Sequence, residues 1–359
     1  MSRLRVGVIG LGEVAQVVHL PVLQSLPHMY EIAAVCDVSP TLVRVMGEQY
    51  GVDRRYESAA DMVAAGGLDA VLVLNSDEYH AEGVLLALEA GLDVLVEKPM
   101  CLSPREAEDI IAARDRSGRT VMVGYMRRFA PAFLEAKERL AGLGTINYVR
   151  VRDIIGRNQL IVDRTSTVER PSDIPAWLGE DKRSRGRQLV AEAVGPVSDQ
   201  LAGTYRLLCG LGSHDFSAMR ELIGKPKGVL AAALSSGGRF VTAFLDYGDF
   251  VVTYETGVDD QLRFDAHIEV YGATQQIRVQ YDTPYVRHFP TTVVTEETDG
   301  DVFRRSVSRP DLKDPYTHEL EYFHHAVTTG SPVKTTPEDF VEDLDIFAEV
   351  IRVLGKSES

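Results

Sequence analysis

Arg5-Val6-Gly7-Val8-Ile9-Gly10-Leu11-Gly12-Glu13-Val14-Ala15 decides the fold of the first third of this 359-residue chain. The apolar run Arg5 to Ile9 reads as a buried strand, and the residues from Gly12 to about Gln24 read as a helix entered through a GxGxxA turn. The first glycine permits the tight turn, the second lets backbone approach a pyrophosphate, and the small Ala15 allows close helix packing. Free N–H groups at the helix start then face phosphate oxygens. Gly10, Leu11, Gly12, Glu13 and Val14 are therefore expected to bind a dinucleotide.

Asp37 stands 22 residues after Ala15, at the end of the next strand-like run, where a carboxylate accepts both hydroxyls of a ribose. The same charge repels a 2′-phosphate, so NAD is favoured over NADP. Arg44 is the nearby cation that weakens this preference.

Outward from this motif, short apolar strands alternate with helices: Arg5 to Ile9, Glu31 to Cys36, Ala70 to Leu74, Asp93 to Val96 and Thr120 to Val123. Strands so continuously apolar are covered on both faces, as in a parallel sheet built from βαβ units. Ser39-Pro40, the Ser103-Pro104-Arg105-Glu106 capping box and Gly91 punctuate the helices between them. After about residue 226 the pattern alternates, over Arg239 to Tyr247, Phe250 to Glu255, His267 to Tyr271 and Gln276 to Tyr281, which reads as an antiparallel sheet. Two helices follow, near Tyr316 to Thr328 and Thr336 to Val353. Residues 156 to 205 fit neither pattern and read as a lid or binding element, or equally as a mobile surface insertion.

A net charge of −15 leaves no basic field for nucleic acid. The N-terminal residues run straight into a strand without a signal-peptide pattern, and the apolar runs are too short to span a bilayer. Cys36, Cys101 and Cys209 are odd in number and widely spaced, which gives no disulfide framework and no zinc pattern. These features point to a cytoplasmic protein with no membrane or metal requirement.

The chemistry-bearing candidates sit at strand ends, where ligands lie in open parallel sheets. Glu97-Lys98-Pro99 ends the fourth of these runs, and Lys98 there is placed to hydrogen-bond a substrate hydroxyl, or else simply to pair with an acid at the surface. Asn75, Ser76 and His80 follow the third; His80 lines a nicotinamide or only opens a helix. His214 lies at the start of a helix ending at Gly224 and off its Phe216, Met219, Ile223 stripe, so the core does not require it. A helix N-terminus favours a neutral imidazole, hence a base, although a capping or surface histidine fits the residues as well.

Taken together, the fingerprint, Asp37, Glu97-Lys98-Pro99, the stretch Leu68 to Leu74 with His80 and Ala87 to Gly91, Gly124-Tyr125-Met126-Arg127-Arg128-Phe129 and Gly212-Ser213-His214 resemble the glucose-fructose oxidoreductase/inositol dehydrogenase (Gfo/Idh/MocA) family. The resemblance implies an α/β fold: an N-terminal Rossmann domain (1–124) with a parallel sheet, and a C-terminal α/β domain (125–359) with a large, open, mostly antiparallel sheet. That sheet would form a homodimer or homotetramer, and the helix at 336–353 would pack back on the Rossmann domain. It further implies NAD(P)-dependent oxidation or reduction of a sugar, polyol or glycoside. Lys98 and His214 would be catalytic, with Asn75, Ser76, His80, Glu97, Lys98 and Arg127 beside the cofactor. Family dehydrogenases usually carry an aspartate four residues before the histidine; this chain has Gly210 there. Two alternatives stay open: a cofactor retained and recycled for epimerisation or glycosidic cleavage, as in some members of that family, and, given Gly210, a non-catalytic NAD-dependent sensor.

Overall fold

A computed structural model describes residues 3–289 and 291–358. The elements through residue 140 are β1 (Leu4–Ile9), α1 (Leu20–Ser25), β2 (Tyr30–Cys36), α2 (Pro40–Tyr50), β3 (Arg55–Tyr56), α3 (Ala59–Ala64), β4 (Ala70–Val73), α4 (His80–Glu89), β5 (Asp93–Glu97), α5 (Pro104–Ser117), β6 (Val121–Gly124) and α6 (Pro131–Leu140). There follow β7 (Tyr148–Gly156), α7 (Gln159–Thr165), α8 (Ala176–Val194), α9 (Asp199–Leu207), α10 (Ser213–Ile223) and the strands β8 (Gly228–Ser235), β9 (Phe240–Asp246), β10 (Val251–Asp259), β11 (Phe264–Tyr271), β12 (Gln275–Tyr281), β13 (Thr292–Asp299) and β14 (Val302–Ser308). Two helices, α11 (Pro315–Thr329) and α12 (Pro337–Glu358), close the chain.

Two compact units divide these elements. The first takes the chain through Gly124 together with Ser166–Ala193 and Glu319–Val341; the second takes Tyr125–Thr165, Val194–His318 and the chain from Glu342 onward.

Unit one holds a six-stranded sheet in the order β3-β2-β1-β4-β5-β6, every pair parallel. All residues of β4 and β5 are buried, and Ala70–Val73 and Val94–Val96 accordingly appear in sequence as unbroken apolar runs. Each fully buried aliphatic side chain there contributes roughly 1.5–3 kcal/mol, far more than any strand-forming preference. The expected caps form: the Ser39 hydroxyl accepts from the N–H of Leu42 at 3.1 Å, that of Ser103 from Glu106 at 3.3 Å, and Gly91 takes a left-handed φ of 72°.

Unit two holds an eight-stranded sheet in the order β14-β13-β12-β11-β7-β10-β9-β8. It is antiparallel except for the central β7–β10 pair, which is parallel. The alternation that marks β9 to β12 in the sequence fades in β14, whose residues are almost all exposed, so that strand carries no apolar face to read. Among the described residues no helix is long and apolar enough to cross a membrane.

The segment 156–205 is not the irregular insertion its composition suggested. It carries α7, α8 and most of α9, but α8 buries only Gly186, Leu189 and Val190 among 19 residues. So narrow a buried stripe gives almost no helical periodicity.

Candidate active site

The strand β1 delivers the chain into a turn that only glycine can make. Gly10 has a φ of 92°, and a Cβ on it would lie 2.4 Å from the backbone nitrogen of Asn75. Gly12 is a different case, since a Cβ there would meet no protein atom within 4 Å. The protein's own packing does not demand a glycine at 12, whereas backbone approach by a diphosphate does. Ala15 is fully buried and begins a π-helical turn, Ala15–His19, that leads into α1.

Asp37 at the end of β2 reaches back to this loop. Its Oδ2 accepts from the N–H of Leu11 at 2.7 Å and its Oδ1 from the N–H of Ser39 at 2.9 Å. Burial pushes its carboxyl above the ordinary aspartate value, and these two N–H bonds oppose the rise. The glycine loop and the Asp37 carboxylate are thus one hydrogen-bonded assembly.

At the ends of β4 and β5 the expected residues also meet. Asn75 lies against Gly10, and its Oδ1 is buried with no hydrogen-bond partner among the described residues. Ser76 accepts from Nζ of Lys182 at 2.9 Å. His80 is buried, with Nδ1 2.7 Å from the Pro99 carbonyl and Nε2 2.8 Å from the Asn75 carbonyl. It braces the Lys98–Pro99 turn, whose peptide is cis, against the end of β4. Lys98 follows β5 directly and is half-buried.

One partner escaped the sequence reading. Nε2 of the fully buried His19 donates to Oε1 of Glu97 at 2.8 Å, and Oε2 of Glu97 accepts from the N–H of Lys98 at 3.1 Å. Burial drives the Glu97 carboxyl up, but the hydrogen bond and electrostatic pull of His19, with Lys98 behind it, outweigh burial and hold it below the ordinary value. The available signal was position: His19 ends the helical turn that opens at Ala15, on the side facing the sheet.

In unit two, Arg127 sits in a buried ion cluster. Its guanidinium is buried, donates from Nη2 to Asp153 Oδ2 at 2.8 Å and from Nη1 to Asp215 Oδ1, and lies 4.9 Å from the Tyr281 ring centroid. Burial, then the neighbouring Asp153, push the Asp215 carboxyl well above its ordinary value, against the pull of Arg127.

His214 is the second residue of α10, but that helix has no free N-terminus. Leu207, Leu208, Gly212 and Ser213 are all helical, joined through a π-helical turn Leu208–Gly212, so α9 runs continuously into α10. The expected helix-end effect on the imidazole therefore disappears, because the N–H groups that would produce it are spent inside the helix. A Cβ on Gly210 would meet no atom within 4 Å.

A parallel sheet, a glycine turn closed by Asp37 and a following helical segment define a dinucleotide-binding Rossmann protein, and the residues fit that group. The match to known proteins is specific in the N-terminal part: residues 4–125 match the family described as "Oxidoreductase family, NAD-binding Rossmann fold". Myo-inositol 2-dehydrogenase of Thermotoga maritima is 25% identical over 352 residues, 94% of this chain and 92% of that one. Among solved structures, the aldose-aldose oxidoreductase from Caulobacter crescentus superposes with a TM-score of 0.75 at 20% identity, covering 100% of this chain and 99% of that one. A mutant 3-ketoreductase from Actinomadura kijaniata, in complex with TDP-benzene and NADP, gives 0.74 at 18% identity and covers 98% of each chain.

Proposed function

We propose that this protein is a dehydrogenase that interconverts a secondary alcohol and a ketone on a sugar, polyol or glycoside, with NAD in preference to NADP. The observation that carries the reading is the placement of Lys98 at the end of β5 within the same unit as the Gly10–Asp37 assembly. When bound, a nicotinamide supplies the hydride acceptor or donor. Gly10, Leu11, Gly12, Glu13 and Val14 hold its diphosphate, and Asp37 takes the adenosine ribose. Lys98 and His214 handle the alcohol proton: one removes it, and the other stabilises the charge developing on oxygen. Glu97, tied to His19, sets the charge behind Lys98. The name of the T. maritima relative supports the polyol class.

The test is a screen of sugars and polyols with NAD, followed by NADH absorbance. Lys98→Ala is expected to cut kcat by about 10²–10⁴-fold on the substrate found, with NADH affinity nearly intact. Oxidation at the wild-type rate by this variant would overturn the assignment. NADH binding without turnover of any carbohydrate would support the sensor reading instead.

A specific observation favours cofactor retention as a second reading. Residues 169–182 run along the proposed cofactor edge, bonding Gln16, Ser39, Thr41 and Ser76 through Glu169, Asp173 and Lys182. Nucleotide that co-purifies with the protein, with sugar product but no net NADH, would distinguish retention from simple dehydrogenation.

A further inference from the structure

Asp173, 136 residues away from Asp37 in sequence, ends up beside it. Its Oδ1 accepts from the Ser39 hydroxyl at 2.5 Å and its Oδ2 from the N–H of Thr41 at 2.9 Å, at the first turn of α2. The segment carrying it is clasped onto the helical turn after the glycine loop. Gln16 Nε2 donates to the Leu11 and Glu169 carbonyls at 2.8 and 3.0 Å, and its Oε1 accepts from the Glu169 N–H at 2.8 Å. Arg170 lies 3.6 Å from Glu13.

This arrangement accounts for every donor at the start of α2. Ser39 N–H goes to Asp37, Pro40 has none, Thr41 N–H goes to Asp173 and Leu42 N–H to the Ser39 hydroxyl. A 2′-phosphate on the ribose that Asp37 binds would have to sit against these residues, because it hangs from one of the two oxygens Asp37 contacts. It would meet two carboxylates there, and no N–H of that turn would be left to receive it. Arg44, the nearby cation, has its guanidinium 3.2 Å from Glu48, with both side chains exposed.

We propose that Asp173 is a specificity-determining residue, a second carboxylate that closes the 2′-phosphate position and makes the protein selective for NAD over NADP. The inference rests on the reading of Gly10 to Asp37 as the cofactor site and deepens it. Hydrogen bonds from Ser39 and Thr41 hold the Asp173 carboxyl below the ordinary aspartate value, so the charge persists throughout the neutral range. Since Asp173 is exposed, its repulsion is screened by salt and its effect is moderate.

The experiment is equilibrium binding of NADH and of NADPH, read from nucleotide fluorescence, to wild type, Asp173→Asn and Asp173→Ser at two ionic strengths. Wild type is expected to prefer NADH, and to prefer it less at high salt. Asp173→Asn is expected to tighten NADPH about tenfold and to leave NADH within about twofold. Asp173→Ser is expected to do the same should the asparagine variant fold poorly. Equal weakening of both nucleotides would make Asp173 a structural clasp only and overturn the inference, as would an unchanged NADH/NADPH ratio. Wild type that binds neither nucleotide would overturn the cofactor reading beneath it, a failure distinct from the other two.

Discussion

The glycine loop of unit one and the buried ion cluster of unit two handle charge in opposite ways. Around Gly10 to Asp37, backbone N–H groups and the Asp37 carboxylate are assembled from neighbouring turns, and a Cβ at Gly12 would meet no protein atom within 4 Å. Around Arg127, one cation is sealed between Asp153 and Asp215 with tyrosines Tyr254 and Tyr281 packed alongside, all of them buried. The loop leaves its backbone at Gly12 open to close approach. The cluster's charges are met by the protein itself, and its contribution is to hold β7, α10 and the turn at Arg127 in register near His214. The difference teaches that two charged motif positions can take quite different partners: Asp37 accepts from the backbone of the glycine-loop assembly, and Arg127 is enclosed by the protein's own carboxylates.

Arg127→Met tests that contrast hardest. Removing the cation leaves two buried carboxylates facing each other, and breaking a buried pair from one side costs about 3–5 kcal/mol. Denaturant unfolding should show a loss of that size, while whatever folds should bind NADH within a few-fold of wild type. A loss below about 1 kcal/mol, or a selective collapse of NADH binding, would sink the assignment of Arg127 to structure. The double variant Arg127→Met/Asp215→Asn should recover part of the lost stability, since it removes one of the stranded charges.

The same contrast explains what could be read from the sequence. Unit one is written locally: β1, the glycine turn, Asp37 and the Ser39 cap lie within 40 residues, and each leaves a residue-type signature at fixed spacing. Its continuous apolar strands name a parallel sheet almost without ambiguity. The Arg127–Asp153–Asp215 cluster has no such signature, because three side chains spread over 88 residues meet only when β7 and α10 pack. His19 and Asp173 were missed for the same reason, their partners being 78 and 134 residues away. The helix-end argument for His214 failed differently: Gly210 and Gly212 look like a break between helices, yet both are held in a continuous helical path through a π-turn.

Within the loop, Gly10 and Gly12 should separate structure from binding. Gly10→Ala forces a side chain into a left-handed backbone and onto the backbone of Asn75, so it should cost at least 1–2 kcal/mol of stability, on the order expected for an L-residue in that conformation. Gly12→Ala should change stability by no more than about 0.5 kcal/mol, as for a surface change away from packed features, yet weaken NADH about tenfold, because its Cβ would occupy the space a diphosphate needs. Thermal unfolding and NADH titration of the two variants check both halves. If Gly12→Ala binds NADH like wild type, the loop does not approach a diphosphate there.

The smallest effect concerns Glu97, where the loop's unit does contain one buried charge partnered like those of unit two. Glu97→Gln keeps the shape and removes the carboxylate that His19 and the Lys98 N–H share. Because the folded-state pKa of Glu97 lies below the unfolded value, the unfolded chain takes up the proton first as pH falls. The stabilisation it provides is therefore fully present above the unfolded glutamate pKa of about 4.3 and is lost as pH drops through the folded value. At neutral pH the variant should be less stable by about 1–2 kcal/mol, in the range of a hydrogen bond to a charged group. That gap should shrink as pH falls below about 4.3, the unfolded glutamate value. Asp215, whose carboxyl is shifted in the opposite direction, titrates in both proteins and cancels in the difference. Paired denaturation midpoints at each pH measure it, and a gap that holds constant down to pH 3 would show that the Glu97–His19 contact contributes by packing alone.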